Sequence, residues 1–278
     1  MNKIISFLVI CFTANFAFSQ IKEESENIRR KVQKKTYVGV GGGMGAYQDA
    51  KFSNVAYNGI SGSFNLGTGR ESDHYVWNTD FWTRYSALRT GSHVGKGFYL
   101  DAGYSFDYTR KLTENYQLGG KWTLANGNFR RFADLGNNST GIVLSSTVSA
   151  LGRYTRPINK DLKINFELAL GLFSVAREGT SFAYSAVQKV LEEGVFNFQD
   201  EATTSPLHLK YASFETIGSL NKIETTLSLD FRKRWRLAYS WDLFNYRTIK
   251  GYPLTIAAHT LSVRFNYINK IKTRTNKK

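Results

Sequence analysis

The sequence predicts an all-β fold, an antiparallel up-and-down β-barrel of about ten strands, with eight or twelve strands as the alternatives. Three observations support this prediction. Apolar and polar residues alternate along most of the chain, the alternating segments exceed the usual strand length of globular proteins, and the connections between them are short and long in turn. A closed sheet with its tight turns at one end accounts for all three.

The alternation defines each predicted strand. Apolar or aromatic residues occupy every second position from Phe98 to Tyr108 and from Leu162 to Leu172, with mostly polar or small residues between them. Successive side chains of a strand point to opposite faces, so each segment has one apolar and one polar face. The predicted strands are 36–47, 57–68, 74–88, 97–110, 115–125, 141–156, 161–174, 222–233, 235–248 and 254–268.

The connections give the strands their direction. Short ones are 69–73, 111–114, 157–160 and the pair 233–234, and long ones are 48–56, 89–96, 126–140 and 175–221. Over residues 36–268 the chain therefore resembles bacterial outer-membrane β-barrel proteins, which have short periplasmic turns, long extracellular loops and apolar outward faces. The resemblance implies a transmembrane barrel in the bacterial outer membrane, in contact with outer-membrane lipid. A soluble β-sandwich is the alternative fold.

The composition excludes a helical membrane bundle. The chain has 278 residues and a formal net charge of +15. Its longest apolar run, Ile4–Phe12, is far shorter than the ~20 residues that cross a bilayer as a helix. A crossing of the membrane by this chain therefore has to use strands.

Residues 1–19 are interpreted as a secretory signal peptide. A basic start, the apolar run and the small residues Ala17 and Ser19 follow one another in the order of such a signal. The only cysteine, Cys11, lies within it, so no disulfide is predicted in the mature chain.

The inward positions of the predicted strands carry acidic and basic residues in equal number. A ten-stranded barrel is only slightly wider than an eight-stranded one, whose interior side chains already fill it. Buried charges are costly unless they are paired, so we predict a salt-bridged, largely plugged interior, with a narrow polar path as the alternative. The predicted lumen charges are Asp80, Arg84, Asp101, Asp107, Lys121, Arg153, Lys163, Glu167, Glu224, Asp230, Arg232, Arg236, Asp242 and Arg264, and the predicted inward aromatic residues are Trp82, Phe173, Phe244 and Tyr246.

Aromatic residues at outward positions cluster near the short turns. Their rings favour the boundary between lipid and water, so they predict an aromatic girdle on the periplasmic side. The predicted girdle residues are Tyr75, Trp77, Tyr108, Tyr116, Tyr154, Trp235 and Tyr267.

No motif in the sequence predicts catalytic, cofactor-binding or metal-binding residues. Gly41–Ala46 has a G-x-G-x-x-A spacing, but the helical apolar repeat that a dinucleotide site requires does not follow it. The four histidines lack the spacings of metal ligands. The D-x-D and D-x-H spacings of omptin proteases and the H-x-S spacing of outer-membrane phospholipases are also missing from the sequence.

The long connection 175–221 contains a pattern of its own. Apolar residues from Phe182 to Leu191 have helical spacing, and Ser181 and Gly194 stand where a short helix would be capped. We predict that this helix covers the mouth of the barrel, with a partner-binding face as the alternative.

The predicted function is non-enzymatic: membrane anchoring or interaction by a monomeric outer-membrane barrel. A narrow channel for small polar solutes and a surface-exposed outer-membrane hydrolase are the alternatives. Nucleic acid is excluded as a partner, because secretion leads the chain away from it and the aromatic residues are used on strand faces.

The excess positive charge is predicted to lie on the periplasmic side. The polar periplasmic segment 20–35 and the C-terminal tail 269–278 are both basic, whereas the loop 175–221 is acidic and the interior charges balance. This side is therefore predicted to face anionic headgroups or the cell wall.

Neutralising the basic tail is expected to weaken that contact. Replacing Lys270, Lys272, Arg274, Lys277 and Lys278 by glutamine should reduce binding of the purified barrel to anionic liposomes or cell-wall fragments. Each basic residue near an anionic surface contributes ~1 kcal/mol. Cosedimentation measures the bound fraction, and unchanged binding would contradict the prediction.

Overall fold

Long two-faced strands pair edge to edge and close on themselves, as the alternation predicts. The computed structural model describes residues 32–50, 55–91, 95–132, 139–181, 196–197, 212–247 and 253–270. Neighbouring wall strands pair antiparallel, and the last strand pairs with the first. The strands are β1 (Gln33–Asp49), β2 (Tyr57–Glu71), β3 (Tyr75–Arg89), β4 (Lys96–Lys111), β5 (Tyr116–Phe132), β6 (Ser139–Pro157), β7 (Leu162–Ser181), β8 (Phe196–Asn197), β9 (Ser213–Thr216), β10 (Leu220–Phe231), β11 (Trp235–Tyr246) and β12 (Leu254–Lys270).

One line of the wall consists of two strands. β9 pairs with β7 over Ser213–Thr216, and β10 pairs with an earlier part of β7 over Ile223–Phe231. A turn separates them, with Gly218 at a φ of 105°, which residues with side chains adopt rarely. With this line counted once and the two-residue β8 left out, the described residues form a closed up-and-down barrel of ten strands, which confirms the predicted fold.

The tight turns lie at one end of the barrel, which we call the short-turn end; the opposite end is the long-loop end. Backbone hydrogen bonds close these turns: the amide of Ser72 donates to the carbonyl of Tyr75 at 2.9 Å, and that of Arg234 to Phe231 at 3.2 Å. Strand β1 begins and β12 ends at the same short-turn end. Within the described ranges, no helix is long and apolar enough to span a membrane.

Two β-bulges change which residues point inward. β5 holds an extra residue between Thr123 and Asn126, and β7 holds one at Leu172. Beyond the first bulge the buried positions change from odd-numbered residues such as Thr123 to even-numbered ones such as Asn126 and Asn128. An inserted residue interrupts the period of two on which sequence analysis relies.

The bulges explain where the predicted strand ends were wrong. β5 extends to Phe132 and β7 to Ser181, so the predicted loops 126–140 and 175–221 are partly strand. β9 takes four further residues of the second loop into the wall. The predicted helix from Phe182 onwards lies outside the described residues.

The wall also extends further at the two chain ends than predicted. β1 begins at Gln33, within the predicted segment 20–35, and β12 ends at Lys270, within the predicted tail 269–278. The predicted signal peptide, residues 1–19, lies outside the described residues.

A glycine on β2 makes room for a tyrosine from β1. The inner face of β2 lacks a side chain at Gly67, and a carbon added there would collide with the ring of Tyr37 and the carbonyl oxygen of Thr79. The Tyr37 hydroxyl donates a hydrogen bond to that carbonyl at 3.2 Å, and the side chain is buried. The ring therefore crosses β2 and ties β1 to β3 inside the barrel.

Adding a methyl group at Gly67 should destabilise the barrel. Gly67→Ala displaces the Tyr37 ring, and overpacking of this kind costs about 1–3 kcal/mol. Gly62→Ala on the same strand is the matched control, because an added carbon there has nothing within 4 Å. Urea unfolding of the barrel in lipid vesicles measures both; equal unfolding midpoints for the two variants would contradict this account.

Candidate functional site: the barrel interior

Ion pairs cross the interior at mid-height. Arg84 of β3 donates from Nη2 to Asp101 of β4 at 3.1 Å and from Nη1 to Asp242 of β11 at 3.0 Å. The Arg84 side chain is only 10% exposed, and Asp101 is buried as well. Because β3 and β11 stand four strands apart in the wall, the arginine spans the lumen rather than bracing neighbours.

A second bridge joins β5 to β10. Lys121 of β5 and Lys222 of β10 both pair with Glu224, the latter at 2.9 Å. The two ammonium groups lie 5.8 Å and 5.6 Å from the ring centroid of Trp82, which points inward from β3. A cation near an aromatic face gains electrostatic attraction, so the indole supports both lysines.

Further pairs lie toward the short-turn end. Arg153 of β6 donates to Asp107 at 2.9 Å and to Glu167 at 2.6 Å, so it links β4 to β7. Arg236 and Asp230 form a two-bond pair at 2.5 Å and 2.8 Å between neighbouring strands. Two parallel N–H···O bonds of this kind fix geometry as well as charge.

One pair is looser than the others. Arg264 of β12 lies 3.6 Å from Asp80 of β3, and its guanidinium carbon stands 4.1 Å from the ring centroid of Tyr37. The guanidinium of Arg264 therefore packs on the Tyr37 ring as well as on the Asp80 carboxylate. This pair reaches across β1 and β2, which stand between β12 and β3 in the wall.

Two of the predicted lumen charges, Arg232 and Lys163, are exposed to solvent. Arg232 was wrongly predicted to be inward: it lies in the tight turn between β10 and β11, is exposed, and stacks on Phe231 at 5.1 Å. Strand pairing ends at Phe231, so the alternation cannot be continued into the turn. Lys163 lines the interior at its short-turn mouth but is exposed to solvent there.

Phe173 was also wrongly predicted to point inward. It lies beyond the bulge at Leu172 and stacks on Phe214, an exposed residue of β9, with 5.9 Å between ring centroids. Its neighbour Ser174 is the buried residue, and its hydroxyl lies 2.8 Å from that of Thr147. The extra residue has exchanged the two faces of β7.

Among the residues that the structure describes, sequence reasoning missed the most deeply buried ion cluster. Nε of Arg130 donates to Asp49 at 2.5 Å, and Nη2 donates to Glu178 at 2.7 Å. The three residues are 1%, 2% and 3% exposed, respectively. Arg130 and Glu178 both follow a bulge, which moved them to the inner face. The inward position of Arg130 could have been found from the sequence, because polar residues alternate again at Asn126, Asn128 and Arg130.

An apolar cluster fills the interior at the long-loop end. Two ring pairs form its centre, Tyr47 with Tyr99 and Tyr57 with Phe132, each with 4.6 Å between centroids. All members are buried, so the cluster excludes water from this end of the lumen. We call it the apolar plug; its residues are Tyr47, Tyr57, Leu88, Tyr99, Phe132, Val143, Ala176, Leu220, Phe244, Tyr246, Leu254 and Ile256.

A polar cavity of about 440 Å³ lies between the plug and the short-turn end. Its lining runs from Tyr99 and Asp101 at the plug to Lys35, Lys163 and the exposed Glu114 near the turns. The interior is therefore a cup, closed toward the long loops and open toward the short turns.

The predicted girdle residues lie on outward positions near the short-turn end. Tyr75 stacks with Tyr108 at 6.0 Å, Tyr116 packs on Tyr154 at 4.9 Å, and the Arg70 guanidinium lies 5.9 Å from the Trp77 ring centroid. Trp235 and Tyr267 are 49% and 61% exposed. Their role at a lipid boundary stays a prediction.

The histidines form no part of the interior as described. His259 points outward, with its Nδ1 2.5 Å from the hydroxyl of Tyr239, and His74 is exposed beside a short turn. His93 and His208 lie outside the described residues. Among the residues that the structure describes, no group of three or more His, Cys, Asp or Glu side chains is placed to hold a metal ion.

Comparisons with known proteins give a likeness of architecture. No protein-family model matches the chain. No curated protein matches it. Among solved structures, the outer-membrane protease OmpT from Escherichia coli is 8% identical with a TM-score of 0.45, covering 88% of this chain and 99% of that chain.

Two further barrels give similar values. The translocator domain of the autotransporter NalP from Neisseria meningitidis is 11% identical with a TM-score of 0.40, covering 93% of this chain and 96% of that chain. Ail, the attachment invasion locus protein of Yersinia pestis, is 9% identical with a TM-score of 0.37, covering 84% and 99%. All three are bacterial outer-membrane β-barrels of different roles, so none of these roles transfers to this chain.

Removing Arg84 is expected to destabilise the barrel strongly. Arg84→Ala leaves Asp101 buried without its cation, and breaking a buried pair from one side costs about 3–5 kcal/mol. Arg89→Ala, at an exposed position of the same strand, is the matched control and should change stability little. The measurement is urea unfolding in lipid vesicles, and a similar loss for both variants would refute the role given to Arg84.

Proposed function

We propose that this protein is an integral barrel of the bacterial outer membrane whose closed interior serves a non-enzymatic role, the anchoring or presentation of interacting segments in the membrane. The observation that carries the proposal is the lumen, which ion pairs cross at mid-height and the apolar plug fills at the long-loop end. Such an interior stabilises the barrel in lipid and leaves no wide path for solutes.

The outer face supports a lipid environment. Large apolar side chains stand on it without cover, among them Met44, Ile60 and Leu118, which are 66%, 73% and 56% exposed. A soluble protein rarely leaves so much apolar surface in water. A closed barrel also satisfies its backbone hydrogen bonds internally, which a hydrocarbon environment demands.

The narrow channel is the second candidate, and the polar cavity favours it. The cavity opens at the short-turn end and is lined by charges of both signs. A path through the barrel would further require displacement of the plug, whose tyrosines pack on one another and on Phe132. The anchoring role needs no such movement.

Conductance in planar lipid bilayers separates the two candidates. The purified barrel is expected to show no stable single-channel openings, because the plug leaves no continuous water-filled path. The double variant Tyr47→Ala/Tyr99→Ala removes two rings at the centre of the plug and should show openings, provided that it keeps the mobility shift on heating that marks a folded barrel.

This comparison makes the proposal falsifiable. Stable openings of the unchanged protein, of the same size as those of the double variant, would establish the channel and overturn the closed interior. A protein that stays soluble without detergent and shows no mobility shift would overturn the membrane barrel itself.

A further inference from the structure

The hairpin between β10 and β11 carries three basic residues, two of them in a backbone conformation that residues with side chains rarely adopt. Arg232 and Lys233 have φ angles of 48° and 60°, and the amide of Arg234 donates to the carbonyl of Phe231 at 3.2 Å. Two successive residues in the left-handed region make a turn in which Asn-Gly is strongly preferred. Long basic side chains are thus held there at a cost in free energy.

A second tight turn lies beside this hairpin. The amide of Arg232 donates to the carbonyl of Asp161 at 2.7 Å, so the turn 232–234 is bonded to the turn 158–161. That second turn is ordered by Asn159, whose side-chain oxygen accepts from the amides of Asp161 and Leu162 at 2.9 Å each. Lys160 at its tip joins the three bases of the hairpin.

The combined surface has unbalanced positive charge. Lys160, Arg232, Lys233 and Arg234 are all exposed, and the one exposed acid within the two turns is Asp161. In the part of the chain that the structure describes, none of the four basic side chains makes an ion pair. We call these four residues the basic rim site.

Apolar side chains flank the basic rim site. Phe231, Trp235 and Ile158 are 46%, 49% and 53% exposed. Trp235 packs on Phe265 at 5.0 Å and belongs to the predicted aromatic girdle. Bases next to exposed apolar side chains match the two parts of a membrane lipid, a charged headgroup and an acyl chain.

We infer that the basic rim site binds the phosphate of an anionic phospholipid in the leaflet at the short-turn end, with the acyl chains against Phe231 and Trp235. The inference rests on the proposed membrane location and adds a ligand class to it. Lipid is favoured over a soluble anion because the flanking apolar side chains would have no role in holding the latter. The strained backbone then has a reason: asparagine and glycine would relieve it but would remove two of the phosphate-binding charges.

The sharpest test replaces the strained pair by the residues that the turn prefers. In Arg232→Asn/Lys233→Gly the barrel should unfold at a slightly higher urea concentration, because the left-handed strain is relieved. Its affinity for fluorescent phosphatidylglycerol in dodecylmaltoside micelles should fall by about twenty-fivefold, because each of the two bases near an anionic lipid accounts for about a factor of five. Affinity for phosphatidylcholine should not change.

Two further variants test whether the loss of affinity comes from the charges of the basic rim site. Lys160→Gln lies on the other turn and leaves the strained backbone intact, and it should lower phosphatidylglycerol affinity about fivefold. Arg89→Asn/Lys96→Asn removes two exposed bases at the long-loop end, where Arg89 stands opposite Lys96, and should leave the affinity within twofold.

The outcomes distinguish this inference from the proposed function. Unchanged phosphatidylglycerol affinity in both rim variants, with a folded barrel that inserts into phosphatidylcholine vesicles, would overturn the lipid site and leave the membrane barrel intact. Full displacement of the lipid by millimolar inorganic phosphate would overturn the lipid in favour of a soluble anion. Failure of the unchanged protein to insert into any vesicle would remove the membrane location and the site together.

Discussion

The pairing of β1 with β12 is the interaction on which the rest of the structure depends. The two strands match residue for residue from Gln33 opposite Lys270 to Asp49 opposite Leu254, so the sheet has no free edge between its first and last strands. An open edge exposes unpaired backbone groups, which hydrocarbon cannot satisfy. Closure also divides every strand into a face toward the lumen and a face toward the surroundings, and the alternating sequence can then serve both.

Closure of the barrel places charged side chains in the lumen, where each needs a partner of opposite charge. The inward face carries arginine, lysine, aspartate and glutamate where solvent is scarce, and the answer is a set of pairs that reach across the lumen, such as Arg84 with Asp242 and Lys121 with Glu224. The net contribution of a buried ion pair to the free energy of folding is small. Removing one partner is nevertheless strongly destabilising, because the other charge is then left buried without a partner. At the long-loop end the interior holds the apolar plug and the buried pairs of Arg130 with Asp49 and Glu178. The rest of the interior is a polar cup that opens at the short-turn end. The two ends of the barrel therefore differ inside as well as outside.

The basic rim site belongs to the same division between the two ends. Its charges lie at the end where the polar cup opens and where the girdle tyrosines stand, and its apolar flank continues the outward face of the wall. A positive φ at Arg232 and Lys233 is a local conflict between sequence and backbone. Such conflicts persist where the surroundings enforce them and where a function uses them. In a barrel that is anchored by binding anionic headgroups of one leaflet, the charges of the basic rim site would serve that binding.

The alternation in the sequence determined the fold class, the approximate number of strands and the end at which the tight turns lie, because a period of two is a property of each strand by itself. It also placed Arg84, Asp101, Arg153 and Glu167 on the inner face, since their strands are regular around those positions. What only the tertiary structure decided is the inward position of Arg130 and Glu178, the outward position of Phe173, and the choice of partner for each charge. The bulges at Thr123–Asn126 and Leu172 add single residues that reverse the alternation, and an insertion is recognised only against the neighbouring strand. The pairs across the lumen depend on closure, which brings together strands that are far apart in the chain.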